Sequence, residues 1–169
     1  MRLPPDPRLQ PLMARMPKVL LAIVATGLLA GCGGTDIELG APSSGGTYPD
    51  GADEICAEVA KRFAEAQAES PRSFEQAEEL TSSLLDLAGQ GEAGLAAIAP
   101  PPDAEAEYER YLAARAEVVE LLEDGLAAAQ DEDGKAYESA REDVGEGAAE
   151  RERLARVAGL RGCAAAERG

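Results

Sequence analysis

Three kinds of side chain decide what chemistry this chain could support: its cysteines, its carboxylates and its tyrosines. Cysteine stands at positions 32, 56 and 163, without a Cys-x-x-Cys spacing, and the sequence contains no histidine. General base catalysis near neutral pH therefore lacks its usual side chain, and a thiolate-imidazole metal site lacks half of its ligand set. No glycine-rich phosphate loop follows an apolar run. Carboxylates are frequent, as in Glu78-Glu79 and Glu123-Asp124, but neighbours in a helix point to different faces and do not converge on one substrate atom. The acidic stretch Asp131-Glu132-Asp133-Gly134 partly echoes a calcium loop. Setting Gly134 on the loop glycine places Asp131 and Asp133 correctly but puts Ala129 and Ala140 where the first and closing ligands belong. A cap-rich turn is the expected use. Tyr108, Tyr111 and Tyr137 stand at helical spacing, which suits core packing, with a ligand gap between helices as the alternative. The sequence thus predicts no catalytic residue, no cofactor and no resident metal: not an enzyme.

The elements that position these residues begin with a leader. Arg2, Arg8, Arg15 and Lys18 precede a charge-free apolar run over residues 19 to 30. That run has signal-peptide length and is shorter than the roughly 20 apolar residues a spanning helix needs. It ends in Leu29-Ala30-Gly31-Cys32, which resembles the lipobox of bacterial lipoproteins. The resemblance covers the leader alone, which remains complete if translation starts at Met13 or Met16. It implies cleavage before Cys32 and lipidation of Cys32, with a diacylglycerol thioether and often a third, amide-linked chain. Two or more acyl chains give stable anchoring, here to the extracytoplasmic face of the cell membrane. With Cys32 assigned to lipid, Cys56 and Cys163 remain as a pair in an oxidising compartment, and a disulfide between them is expected. Its loop of about a hundred residues is worth roughly 4 to 5 kcal/mol in the chain-entropy model.

Charge bounds the partners. The whole chain carries 16 basic and 32 acidic residues; loss of residues 1 to 31 removes four of the former and Asp6, leaving 12 against 31 and a net charge of −19. Such a body does not seek nucleic acid, whose binding needs a basic face. The charge keeps it soluble and standing off the membrane, with weak capture of cations or basic proteins as the functional alternative. The expected organisation is a signal peptide over residues 1–31, a lipid-anchored flexible linker over 32–52 and a helical domain over 53–169. The linker, rich in Gly, Ser and Pro, has a mean reach of roughly 25 Å as a random coil.

Within the domain, Asp53 is expected to cap a first helix whose stripe is Ile55, Val59, Phe63 and Ala66, ending near Glu69 before the Ser70-Pro71 break. Ser73 and Gln76 resemble a capping box at the head of a second helix lined by Phe74, Ala77, Leu80 or Thr81, Leu84, Leu87 and Ala88. Gly89, Gly91 and Gly94 predict a weak region before Leu95 and Ile98, and Pro100-Pro101-Pro102 ends the helix. A third helix is expected to open at Asp103 and to bury Tyr108, Tyr111 or Leu112, Val118, Leu122 and Leu126, with Arg115 as a gap. A fourth runs from about Lys135 with Tyr137, Ala140, Val144, Ala148, Leu154 and Val157 inward, weakened at Gly145 and Gly147 and stopped at Gly159-Leu160.

Four antiparallel helices would bring the start of the first and the end of the fourth together, where Cys56 and Cys163 lie. The expected fold is all-α, an antiparallel four-helix bundle closed by one disulfide. Leu, Ile, Val and Phe supply 20 of the 111 residues from 53 to 163, so the core must be thin and Ala-lined. The triple proline, Tyr108, Tyr111 and the tail Ala158-Gly159-Leu160-Arg161-Gly162-Cys163 resemble small helical secreted or lipid-anchored proteins of high-GC bacteria. That resemblance implies the fold and no activity. The functional expectation is an envelope module for protein interaction or structure; the alternative is a small-ligand or cation-binding lipoprotein.

Overall fold

A computed structural model describes residues 46–168. The leader, Cys32 and the linker as far as residue 45 lie outside the described residues, as does Gly169. Among the described residues the chain is all-helical: α1 (Asp50–Ala66), α2 (Phe74–Ala96), α3 (Glu105–Gln130), α4 (Gly134–Glu146), α5 (Ala148–Val157) and α6 (Arg161–Ala166). α2 packs against α1 and α3, α3 against α4 and α5, and α6 against α1 and α5. A disulfide joins Cys56 to Cys163, with their Cα atoms 4.9 Å apart.

The packed body starts earlier than Asp53. α1 opens at Asp50 behind Pro49, and Gly51 and Ala52 are already buried. Asp53 is not the cap of its own helix: it sits a turn inside α1, where its Oδ1 accepts a hydrogen bond from the Cys163 amide at 3.0 Å. The carboxylate thus satisfies an orphan donor in the first turn of α6, a short helix the sequence reading did not foresee. α1 ends at Ala66 rather than near Glu69.

Ser73 caps α2 as expected, its Oγ accepting from the Gln76 amide at 3.2 Å. The returning arm differs from a capping box, because Gln76 Oε1 accepts from the Arg72 amide at 2.8 Å and not from that of Ser73. α2 then runs unbroken through the three glycines. A Cβ on Gly91 would stand 2.9 Å from Val59 Cγ2, and one on Gly94 3.2 Å from Ile55 Cδ1. Two of the glycines therefore form the floor on which the stripe of α1 rests, and packing offsets their poor helix propensity.

Asp103 lies in the turn before α3, whose N-cap position is Ala104 with no side-chain cap. The buried face of α3 is Tyr108, Tyr111, Val118, Leu122, Gly125, Ala128 and Ala129, so Leu112 and Leu126 sit at its margins. α3 closes with Glu132 at φ 55°, its neighbours bonding Asp133 N to Ala128 O at 2.9 Å and Glu132 N to Ala129 O at 3.2 Å. A glutamate thus occupies the left-handed position usually given to glycine. Asp133 caps α4 through Oδ1, which accepts from the Lys135 and Ala136 amides at 3.1 and 3.0 Å.

The expected fourth helix is divided at Gly147 into α4 and α5. In its second half Leu154 is buried as expected, but Val157 is 55% exposed, and Ala155, Ala158 and Leu160 are buried in its place. Gly159 at φ 80° ends α5, with Leu160 N bonded to Ala155 O at 2.8 Å and Gly159 N to Arg156 O at 3.1 Å. That is a Schellman ending, and fully buried Leu160 provides its apolar contact.

The core is thin and Ala-rich away from the bridge: Leu84, Ala88, Val118 and Leu122 form one cluster, Ala77, Ala128, Ala129 and Tyr137 another. The largest cluster surrounds the disulfide and includes Ala52, Leu95, Tyr108, Tyr111, Leu154 and Leu160.

Candidate functional site

The chemistry-bearing residues gather at the bridged end. Cys56 and Cys163 are 5% and 0% exposed, so the bond is sealed from solvent. Tyr108, on the first turns of α3, donates to the Leu95 carbonyl at 2.7 Å, one of the last carbonyls of α2. Tyr48 packs its ring edge-on against Tyr108 with centroids 5.4 Å apart and donates to the Ala158 carbonyl. The chain thus enters the domain through an aromatic contact that also satisfies the end of α5. Burial, and next the neighbouring Tyr48, push the Tyr108 hydroxyl up to about 12. Tyr48 is raised too, by burial and then by Asp103 and Asp53.

Beside the bridge lies a group of polar side chains in the interior. Glu167, immediately after α6, accepts from Arg115 Nη1 through Oε1 at 2.8 Å and from Arg151 Nε through Oε2 at 2.7 Å. The side chains are 4%, 14% and 10% exposed, respectively. Tyr111 adds a third donor, its hydroxyl 3.2 Å from Glu167 Oε1. The same hydroxyl lies 3.4 Å from Cys56 Sγ, but its single proton belongs to the carboxylate, which is much the better acceptor. Burial raises Tyr111 well above the ordinary phenol range; Arg115 opposes that shift and Glu167 adds to it. The hydroxyl is therefore a neutral, permanent donor.

Local structure explains the positions. Arg151 folds back over Gly147, where a Cβ would meet its Nη1 at 2.6 Å, and its Nη2 donates to the Val144 carbonyl at 3.1 Å. The missing side chain at the α4–α5 junction makes room for the guanidinium, and the carbonyl end of α4 favours its positive charge. Arg115 reaches the same carboxylate from α3. Sequence reasoning placed Arg115 as a gap in an apolar stripe and passed over Arg151 and Glu167. The available signal was charge on inward-facing helical positions, which implies an internal counterion.

The other expected sites resolve differently. Asp131 and Asp133 belong to the turn between α3 and α4, with Asp133 engaged as a cap, and no group of three or more His, Cys, Asp or Glu suited to a metal occurs among the described residues. Tyr137 faces Thr81 across the far end of the core, hydroxyls 3.4 Å apart, and does not join Tyr108 and Tyr111. Cys32 lies outside the described residues. No protein-family model, curated protein or solved structure matches the chain.

Proposed function

We propose that the protein is a lipid-anchored module of the bacterial cell envelope, held to the extracytoplasmic face of the membrane through Cys32. In this reading its acidic helical domain serves protein interaction or structure. The observation that carries it is the pairing of Cys56 with Cys163. A long-range, fully buried bridge suits an oxidising compartment, and it leaves Cys32, in its lipobox-like setting, as the one cysteine for lipid. The place where the linker enters agrees with tethering: Tyr48 docks beside the bridge, so a pull from the anchor arrives at the covalently closed end. No described helix is long and apolar enough to cross a membrane.

The domain is an antiparallel four-helix bundle in this reading, with α4 and α5 together as the fourth helix and α6 as a clasp across its end. The neighbour pattern α1–α2, α2–α3 and α3–α4 with α5 follows that order, while α1 meets α6 rather than α4 or α5 and the bundle is closed through α6. Among the described residues the exposed large apolar side chains are Phe74 and Val157, so its contact surface is polar and acidic. The alternative of a small-ligand carrier relies on tyrosines whose hydroxyls face internal partners at Leu95, Glu167 and Thr81.

The test is the mass of the mature N-terminal peptide from protein expressed in full in a bacterium. A diacylglyceryl-modified N-terminal Cys32 is expected; an unmodified Cys32 thiol or a different mature N-terminus sinks the anchor. Crosslinking in intact cells, compared with Cys32→Ala, then tests the module: an envelope protein captured stoichiometrically only from the anchored form is the expected result, and its absence removes the interaction reading.

A further inference from the structure

A pull on the linker enters this domain through a lightly held helix. Among the described helices the neighbours of α1 are α2 and α6, and beyond Val59 it buries no residue. A load arriving at residue 46 meets α1 from its first turn. It acts on contacts in sequence: the Tyr48 hydroxyl on the Ala158 carbonyl, then buried Ala52, then Asp53 on the Cys163 amide. Each can open locally at a fraction of the free energy of the whole domain, so a helix loaded from its end frays one contact at a time. Cys56 comes next, and it is held by a covalent bond as well as by packing. That bond passes the load to α6, which is tied to several elements at once. Cys163 and Ala164 are buried in the largest core cluster, and Glu167, just past the helix, is paired with Arg115 of α3 and Arg151 of α5.

We propose that the Cys56–Cys163 bridge is a peel stop: a pull from the N-terminal side frays α1 no further than Cys56, and the load then spreads through α6 into α3 and α5. Without the bond, α1 strips from α2 as a unit while the remaining helices stay folded. The source of the pull in the cell rests on the anchor reading. The stop itself is a property of the folded domain, so it stands or fails separately from lipidation of Cys32.

The experiment holds residues 32–169, expressed without the leader and oxidised, in optical tweezers. One handle is the Cys32 thiol and the other is Glu142→azidophenylalanine, at an exposed position of α4. The oxidised molecule is expected to lengthen by no more than roughly 35 Å, the reach of residues 46–55, before the body opens. Cys56→Ser with Cys163→Ser is expected to give a separate early step of roughly 90–100 Å, the reach of residues 46–73, at a lower force. A double variant that opens in one step, or an oxidised molecule that gives the long early step, overturns the proposal. If the double variant does not fold, the oxidised molecule is reduced while held below its opening force, with reduction read from the longer contour on full opening. The early step should then appear, and opening in one step overturns the stop equally.

Discussion

Tyr108 shows how a single side chain links burial to pH dependence. Its hydroxyl is pushed from the ordinary 10.0 up to about 12 because the charged phenolate would lose its water. Between those values the unfolded chain gives up the proton while the folded one keeps it, so the stabilisation is complete below pH 10 and is lost as pH rises through about 12. Urea midpoints measured through that window, after brief alkaline exposure, should fall with pH. Tyr108→Phe should lower stability by about 0.5–1.5 kcal/mol at neutral pH, because the Leu95 carbonyl loses one of two donors and keeps the Ile98 amide, and should flatten the alkaline slope, with Tyr111 and Tyr48 supplying what remains. A slope unchanged in Tyr108→Phe would show that other groups govern it. At this scale the inward position of Tyr108 and Tyr111 was readable from spacing. The role of Arg115 was not, because its partner stands 52 residues away and no local pattern joins them.

Among the elements, α2 separates propensity from packing. Gly89 has no neighbour within 4 Å of a would-be Cβ, whereas Gly91 would meet Val59 Cγ2 at 2.9 Å. Gly89→Ala should therefore stabilise by about 0.5–1 kcal/mol through helix propensity and a less flexible unfolded chain. Gly91→Ala should destabilise by about 1–3 kcal/mol, since the β-branched Val59 cannot swing aside. Chemical unfolding of the two variants decides it: the same sign for both would mean that α1 does not rest on those glycines. A parallel contrast exists at the α3–α4 turn, where Glu132 holds φ 55°. Glu132→Gly should gain up to about 1 kcal/mol by relieving the left-handed strain, as thermal unfolding would show. Helix stops at the triple proline and Gly159 were legible because proline and glycine act on their own backbone. The cap at Asp53 was misread because its recipient amide belongs to α6, 110 residues away.

For the whole molecule, the bridge spans 107 residues of a chain with little branched aliphatic core. Removing it by Cys56→Ser with Cys163→Ser should cost about 4–5 kcal/mol in the chain-entropy model, a large share of the 5–15 kcal/mol typical of a domain. Urea unfolding of the double variant against wild type measures this, and coincident midpoints would show that the core and the Glu167 group suffice alone. Because both sulfurs are buried, reductant should act on wild type only after the α1–α6 contact opens, so reduction should speed up as urea is raised.

The sequence by itself determined the helical periodicity, the breaks and the acidic balance, since these depend on neighbours within a few turns or on simple counting; the Cys56–Cys163 pair was expected only through the lipobox resemblance at Cys32, and the structure shows it. Only the tertiary structure decided that the glycines of α2 are a packing floor, that α5 turns Val157 outward after the Gly147 junction, and that α6 closes the end. It also decided that Arg115, Arg151 and Glu167 meet. Those outcomes depend on distances between residues remote in the chain, where steric fit and the cost of burying charge select the arrangement and no local pattern encodes it.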